Sequence, residues 1–97
     1  MPVVLNMSNC PGRVVPGGAI YIGRANGRYR LAESKWKNPF IEGRDGTRAE
    51  IVAKHRAWVC DQPDLMAALP QLRGFDLVCW CWPRACHGDV LIRLANA

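Results

Sequence analysis

The run Phe75 to Cys81, FDLVCWC, leaves this chain the fewest choices of fold. It is apolar and aromatic apart from one aspartate, and it is fenced by Gly74 before it and Pro83 after it. A short apolar run between breakers has the length of a strand, not of a helix. A strand that is apolar on both faces must be covered on both faces, as the central strand of a parallel sheet is. Parallel strands are joined by long crossovers, usually helical. The rest of the chain therefore has to supply helices and at least one parallel neighbour.

It does. VVLN (residues 3–6) and AIYIGR (residues 19–24) read as two further short strands, separated by a loop with two prolines and three glycines. DGTRAEIVAKHRAWVC (residues 45–60) is the clearest helix. Thr47 and Glu50 form a capping box, and Ile51, His55, Trp58 and Val59 recur at helical spacing. QPDLMAALPQLRG (residues 62–74) predicts a short helix that begins at Pro63 and stops at Pro70. ACHGDVLIRLAN (residues 85–96) predicts the last helix, with His87, Val90, Leu91 and Leu94 on one face. Strand, strand, helix, short helix, strand, helix is an α/β order. The expected architecture is one domain over 1–97: a small two- or three-layer α/β fold with a short, partly parallel sheet and about three helices.

At 97 residues one core can close, with little stability to spare. No apolar run approaches the roughly 20 residues that span a bilayer, and the N-terminus lacks a signal-peptide pattern. The expectation is a cytoplasmic protein without a membrane partner. Net charge is +5, and ten of the thirteen basic residues are arginines. Arginine's planar fork suits phosphate, so nucleotides, other phosphate-bearing small molecules and nucleic acid are candidate partners. Arg24 to Lys37 is a polar loop with five basic residues and one acid. Trp36 sits in it, where an indole among cations can stack on a base, or can plug the loop onto the core.

Three of the five cysteines lie between Cys79 and Cys86. In a strand, residues two apart share a face, so Cys79 and Cys81 point one way while Val78, Trp80 and Trp82 point the other. Such neighbours lie about 7 Å apart along an extended strand, too far for a disulfide. Cys81 falls near the carboxyl end of its strand, where open α/β sheets bind ligands. Cys86 falls at a helix start, whose free N–H groups favour an anion and would lower a thiol's pKa. His87 could take a proton from that thiol. Gly88 permits close backbone approach, and Asp89 could accept a hydrogen bond from a ligand.

Three readings of the cluster compete. One is a pocket with Cys86, His87 and Asp89 as catalytic groups. Another is a zinc site from Cys79, Cys81, Cys86 and His87, which has suitable ligand types but lacks paired C-x₂₋₄-C knuckles. The third is plain burial, since cysteine packs as a small hydrophobe. A deaminase centre is excluded, because His55 is followed by Arg56-Ala57 where H-x-E is required, and no C-x-x-C exists. No metal and no cofactor is expected. His55 itself reads as a core histidine bonded to backbone, and Trp58 and Trp80 as core.

Taken together, YIGR (residues 21–24), SKWKNPF (residues 34–40) and LVCWCWPRACHGDVL (residues 77–91) resemble the domain-of-unknown-function family 4326. Its members are small proteins of bacteria and their phages that carry Y-I-G-R, W-G-N-P-F and C-x-P-x-x-C-H-G-D elements in this order. Lys37 departs from the pattern, standing where the family has glycine. The ending is also similar to the cysteine-histidine-arginine ending of family 488, but Gly88 stands in place of that arginine and nothing is carried over. The resemblance implies that these three elements build a shared site.

If the strands bearing Tyr21 and Cys79 are parallel neighbours, their ends open on one sheet edge. The expected pocket then gathers Tyr21, Gly23, Arg24, Trp36, Asn38, Pro39, Cys81 and Gly88 as ligand contacts, with Trp36 and the basic loop as its rim. The expected function is a small nucleotide- or nucleoside-handling enzyme with Cys86 or Asp89 as the reactive group. The alternatives are a binding module for a nucleotide or single-stranded nucleic acid, and a phage accessory protein that binds a host protein.

Overall fold

The computed structural model describes residues 2–81 and 84–97. Trp82, placed by strand alternation on the face of Trp80, and Pro83, expected to end the strand, lie outside the described residues. Three strands, β1 (Val4–Asn6), β2 (Ala19–Tyr21) and β3 (Asp76–Cys79), form one sheet in the order β1-β3-β2. Both neighbours pair with β3 in parallel, so the sheet is parallel throughout rather than in part. Leu5 stands opposite Val78 on one side and Tyr21 opposite the same residue on the other. All three carboxyl ends therefore open on one edge. Among the described residues, no helix is long and apolar enough to cross a membrane.

The apolar β3 is central, as its composition requires. Leu77 and Cys79 point into a core shared with the helices, while Val78 points into a second cluster with Met7 and Cys10. The first face is covered by α1 (Arg48–Cys60), α2 (Pro63–Ala68) and α3 (His87–Ala95). The second is covered by loop residues such as Val15 and Leu31 instead of a helix. Helix α1 begins with the capping box that its sequence specifies: Glu50 N–H donates to Thr47 Oγ1 at 3.3 Å, and Thr47 N–H donates to the Glu50 carboxylate at 3.0 Å. Gln62 precedes Pro63 at the start of α2, and a 3-10 turn over Leu69–Leu72 takes up Pro70.

Two glycines are fixed by close packing. A Cβ on Gly88 would meet Val4 Cγ2 at 3.0 Å, Ile22 Cδ1 at 3.1 Å and Cys86 Sγ at 3.2 Å. Gly88 thus brings α3 down onto the sheet, which corrects its expected role as a place of ligand approach. A Cβ on Gly23 would meet the Tyr21 hydroxyl at 2.5 Å. Among the described residues, the non-glycine residues with positive φ are Arg13 and Arg30. Lys37 therefore stands where no glycine conformation is needed, and it pairs with Glu33 at 2.8 Å.

Trp36 is a correction. It is only 3% exposed and belongs to the helical core. An indole so enclosed has no free face for a base, so the basic loop is anchored by it instead of carrying it as a rim. The loop itself is ordered by local backbone pairing, with Asn26 bridged to Leu31 and Ser34 N–H donating to Gly23 O. Trp80, expected in the core, is partly buried against the loop-covered face, where its Nε1–H donates to the Tyr21 hydroxyl at 3.1 Å. Trp36→Ala is expected to lower unfolding free energy by about 3–5 kcal/mol, the cost of emptying a core tryptophan site. Urea denaturation followed by circular dichroism measures it, and a loss near zero would return Trp36 to the surface.

Candidate functional site

A cavity of about 260 Å³ lies at the carboxyl edge of the sheet. Each sequence element brings something to it. The turn after β2 supplies Gly23 and Arg24, and the Asn38–Phe40 segment supplies Asn38. The end of β3 supplies Cys79 and Cys81, and the start of α3 supplies Cys86 and His87. Of the residues expected there, Tyr21, Trp36, Pro39, Gly88 and Asp89 do not line it.

Trp36 and Gly88 serve packing, and Tyr21 and Asp89 have other work. Tyr21 braces the chain: its hydroxyl donates to Arg24 O at 2.6 Å and accepts from Trp80. Burial raises its pKa. Asp89 caps α3. Its carboxylate accepts from Cys86 N–H at 3.2 Å, and Gly88 N–H donates to Cys86 Sγ at 3.3 Å. The helix end that was expected to attract an external anion is thus closed by the helix's own carboxylate and sulfur. An Asp89 carboxylate held in a cap is not placed as a catalytic group.

Asn38 lines the cavity with its amide committed. Oδ1 accepts from Phe40 N–H at 3.0 Å and Nδ2–H donates to Ile51 O at 3.2 Å. Arg24 ties the same turn, donating to Asn38 O at 2.7 Å and Phe40 O at 3.1 Å. The two histidines are buried and neutral. His55 Nε2–H donates to Trp36 O at 3.2 Å, as expected of a core histidine, and Nδ1 is buried without a partner. Burial, then the neighbouring His87, pushes its pKa down to about 4. His87 Nε2–H donates to Ile22 O at 2.7 Å, and burial holds its pKa below the ordinary histidine value.

The three thiols form a unit. Cys79 Sγ and Cys86 Sγ are 3.3 Å apart. Cys81 and Arg48 line the same cavity as these two sulfurs. Three adjoining sulfurs can hold one negative charge at low cost but not two. Hydrogen bonds from Cys79, then Cys86, and then the Arg48 cation place that charge on Cys81, whose pKa falls far below the thiol norm. The bond to Cys81 pushes Cys79 up to about 11, and Cys79 and Cys81 raise Cys86 strongly. The helix field was expected to make Cys86 the nucleophile. Its place beside two other sulfurs raises its pKa against that field, and the thiol whose pKa is lowered is Cys81.

Arg48 is the residue that sequence reasoning missed. It is the first residue of α1, where the helix dipole disfavours a cation. That misplacement was the available signal. It is held there by Ala85 O at 3.0 Å and by Glu42 at 3.3 Å, and Glu42 also pairs with Arg84 at 3.1 Å. The influence of Cys81, then of Glu42, raises its own pKa, as the reciprocal of what Arg48 does to the thiol. Among the described residues, no set of three His, Cys, Asp or Glu side chains is arranged to hold a metal ion. His87 in particular has its Nε2–H on a main-chain carbonyl.

Two measurements check this electrostatic picture. The pH midpoint for alkylation of Cys81 by iodoacetamide, read by peptide mass spectrometry, is expected below 7, and Arg48→Met is expected to raise it by about one unit. A midpoint near the ordinary thiol value of 9 in the unmodified protein would remove the thiolate assignment. Stability should also depend on pH through His55. Its pKa is depressed on folding from 6.5 to about 4, so the unfolded chain binds the proton more tightly. The contribution is fully present above pH 6.5 and is lost as pH falls toward 4, on the order of 3 kcal/mol. Urea midpoints measured from pH 7.5 to 4 should track this loss, and His55→Gln should flatten it.

The chain is 34% identical to an uncharacterised protein of Acanthamoeba polyphaga mimivirus, over 96% of its own length and 78% of the viral protein's. No solved structure matches it. The family model described as Domain of unknown function (DUF4326) matches residues 5–97, which span all the elements that build the cavity, and the chain belongs to that family.

Proposed function

We propose that the protein is a small thiol enzyme, a hydrolase or transferase, that acts on a phosphate-bearing molecule of the nucleotide or nucleoside class, with Cys81 as its nucleophile. One observation carries the reading: Cys81 and Arg48 line one cavity at the carboxyl edge of a parallel sheet, where Cys79, Cys86 and then Arg48 lower the Cys81 pKa. A thiol of ordinary pKa is mostly protonated at neutral pH and is a poor nucleophile, so depressing the pKa is the usual means of activation. Arg24 and Arg48 put two guanidinium groups on the cavity wall, a lining that suits an anionic ligand. The rest of the lining includes Phe40, Ile41, Ile51 and Val52, which suits a flat apolar body such as a base. The volume is near the lower end for small-molecule sites, so a mononucleotide or a smaller ester fits the scale better than an oligomer.

The test separates binding from chemistry. Nucleoside monophosphates and inorganic phosphate are compared with chloride at matched ionic strength by thermal shift. A ligand at about a hundred times its Kd stabilises by about 2.7 kcal/mol, a shift of many degrees in a chain this short. Arg48→Met should remove most of the shift. Products and covalent adducts are then sought by mass spectrometry with the ligands that bind. Cys81→Ser should keep the shift and lose the turnover. A shift without turnover by the unmodified protein would make it a binding module, and equal effects of all anions would remove the site.

A further inference from the structure

The same sulfurs are placed for a second chemistry. Cys79 and Cys86 stand 3.3 Å apart, so their sulfurs need approach by only about 1.3 Å to bond. Both are buried, with 1% and 2% exposure, so each offers an oxidant far less surface than Cys81 does. Cys81 is more exposed and lines the same cavity as both. Cys86 Sγ is further held by Gly88 N–H. An accessible thiol that shares a cavity with two enclosed ones at 3.3 Å from each other is the arrangement of a relay.

We propose that Cys81, Cys86 and Cys79 form a three-thiol redox relay, in which a hydroperoxide oxidises Cys81 and the disulfide comes to rest between Cys79 and Cys86. The first step is attack of the Cys81 thiolate on the hydroperoxide. It forms an S–O bond and breaks the O–O bond, giving Cys81 sulfenic acid and, after one proton is taken up, an alcohol or water. Cys86 then attacks the Cys81 sulfur, forming a Cys81–Cys86 disulfide and releasing water with the Cys86 proton. Finally Cys79 attacks the Cys86 sulfur, forming the Cys79–Cys86 disulfide and expelling the Cys81 thiolate, while the Cys79 proton is lost to solvent. In sum two thiols and one hydroperoxide become one disulfide, one alcohol and one water. Cys81 is the favoured leaving group because its thiolate is the most stable of the three. It emerges reduced and able to react again, and the oxidised pair lies behind it.

This inference rests on the reading of Cys81 as the thiolate, and the two can fail separately. The assay uses the full chain with Cys60→Ser, which removes the exposed cysteine that would cross-link molecules. One equivalent of hydrogen peroxide or cumene hydroperoxide is added at pH 7. The expected result is an intact mass lower by about 2 Da and a Cys79–Cys86 peptide under non-reducing digestion. Cys81→Ser should slow this by about tenfold or more, since the remaining thiols are protonated and enclosed. Cys79→Ser should stop at the Cys81–Cys86 disulfide. Cys86→Ser should accumulate Cys81 sulfenic acid, captured by dimedone. Alanine versions and circular dichroism control for folding. Unchanged oxidation in Cys81→Ser overturns the relay, as does a disulfide that never includes Cys79. If Cys81 still alkylates below pH 7 while no disulfide forms, the relay falls and the thiolate reading stands.

Discussion

Two uncharged imidazoles hold the site together. His55 ties α1 to the carbonyl of Trp36, and His87 ties α3 to the carbonyl of Ile22, with the rings 5.0 Å apart at an edge-to-face angle. Each reaches from a helix to the stretch of chain that carries another part of the cavity. Both bonds need a ring that carries a proton on Nε2. Burial keeps both rings uncharged, and for His55 the neighbouring His87 adds to it, since two cations at this separation, shielded from water, would repel one another strongly. His87 is accordingly not the cation of a cysteine–histidine pair, and that duty falls to Arg48.

Arg48 makes the cavity edge a joint between loops. Its guanidinium meets Glu42 after the Asn38–Phe40 turn and Ala85 O before α3, and it lines the cavity with Cys81, which follows β3. A cation at a helix N-terminus forgoes a few tenths of a kcal/mol to about 1 kcal/mol of dipole energy. Here the anionic sulfur and Glu42 offset that loss. At the start of α3, Asp89 takes the N–H of Cys86 and Cys86 Sγ takes that of Gly88, so an outside anion would compete there with the helix's own cap.

Much of this was legible in the sequence. The capping box of Thr47 and Glu50 depends on local spacing, and β3 announced its central place through apolar residues on both faces. The alternation that set Cys79 and Cys81 against Val78 and Trp80 follows from strand geometry alone, and the parallel pairing of Tyr21 with Val78 brought the expected elements to one edge. What could not be read were outcomes of competition between distant residues. The polar neighbours of Trp36 say nothing of the hollow between helices that takes its ring. Asp89 reads equally as a ligand contact and as a cap until the turn of Cys86 is known. The choice of Cys81 over Cys86 rests on three sulfurs meeting, which helix fields and spacing do not reveal.

The sheet has an order of assembly written into it. β1 and β2 never touch as paired strands, and each pairs with β3 alone. Val4 must wait for Leu77, and Ala19 for Asp76. On a chain made from its N-terminus, both early strands stay unpaired until most of the sequence has emerged, and helix α1 is then the first element able to form from local contacts. Folding is thus dominated by long loop closures, which slow the search for the native pairing. The strand that completes the sheet is also the one that delivers the cysteines. The three cysteines of the cavity thus come together in the same event that closes the core, so a nascent chain holds no assembled thiol cluster.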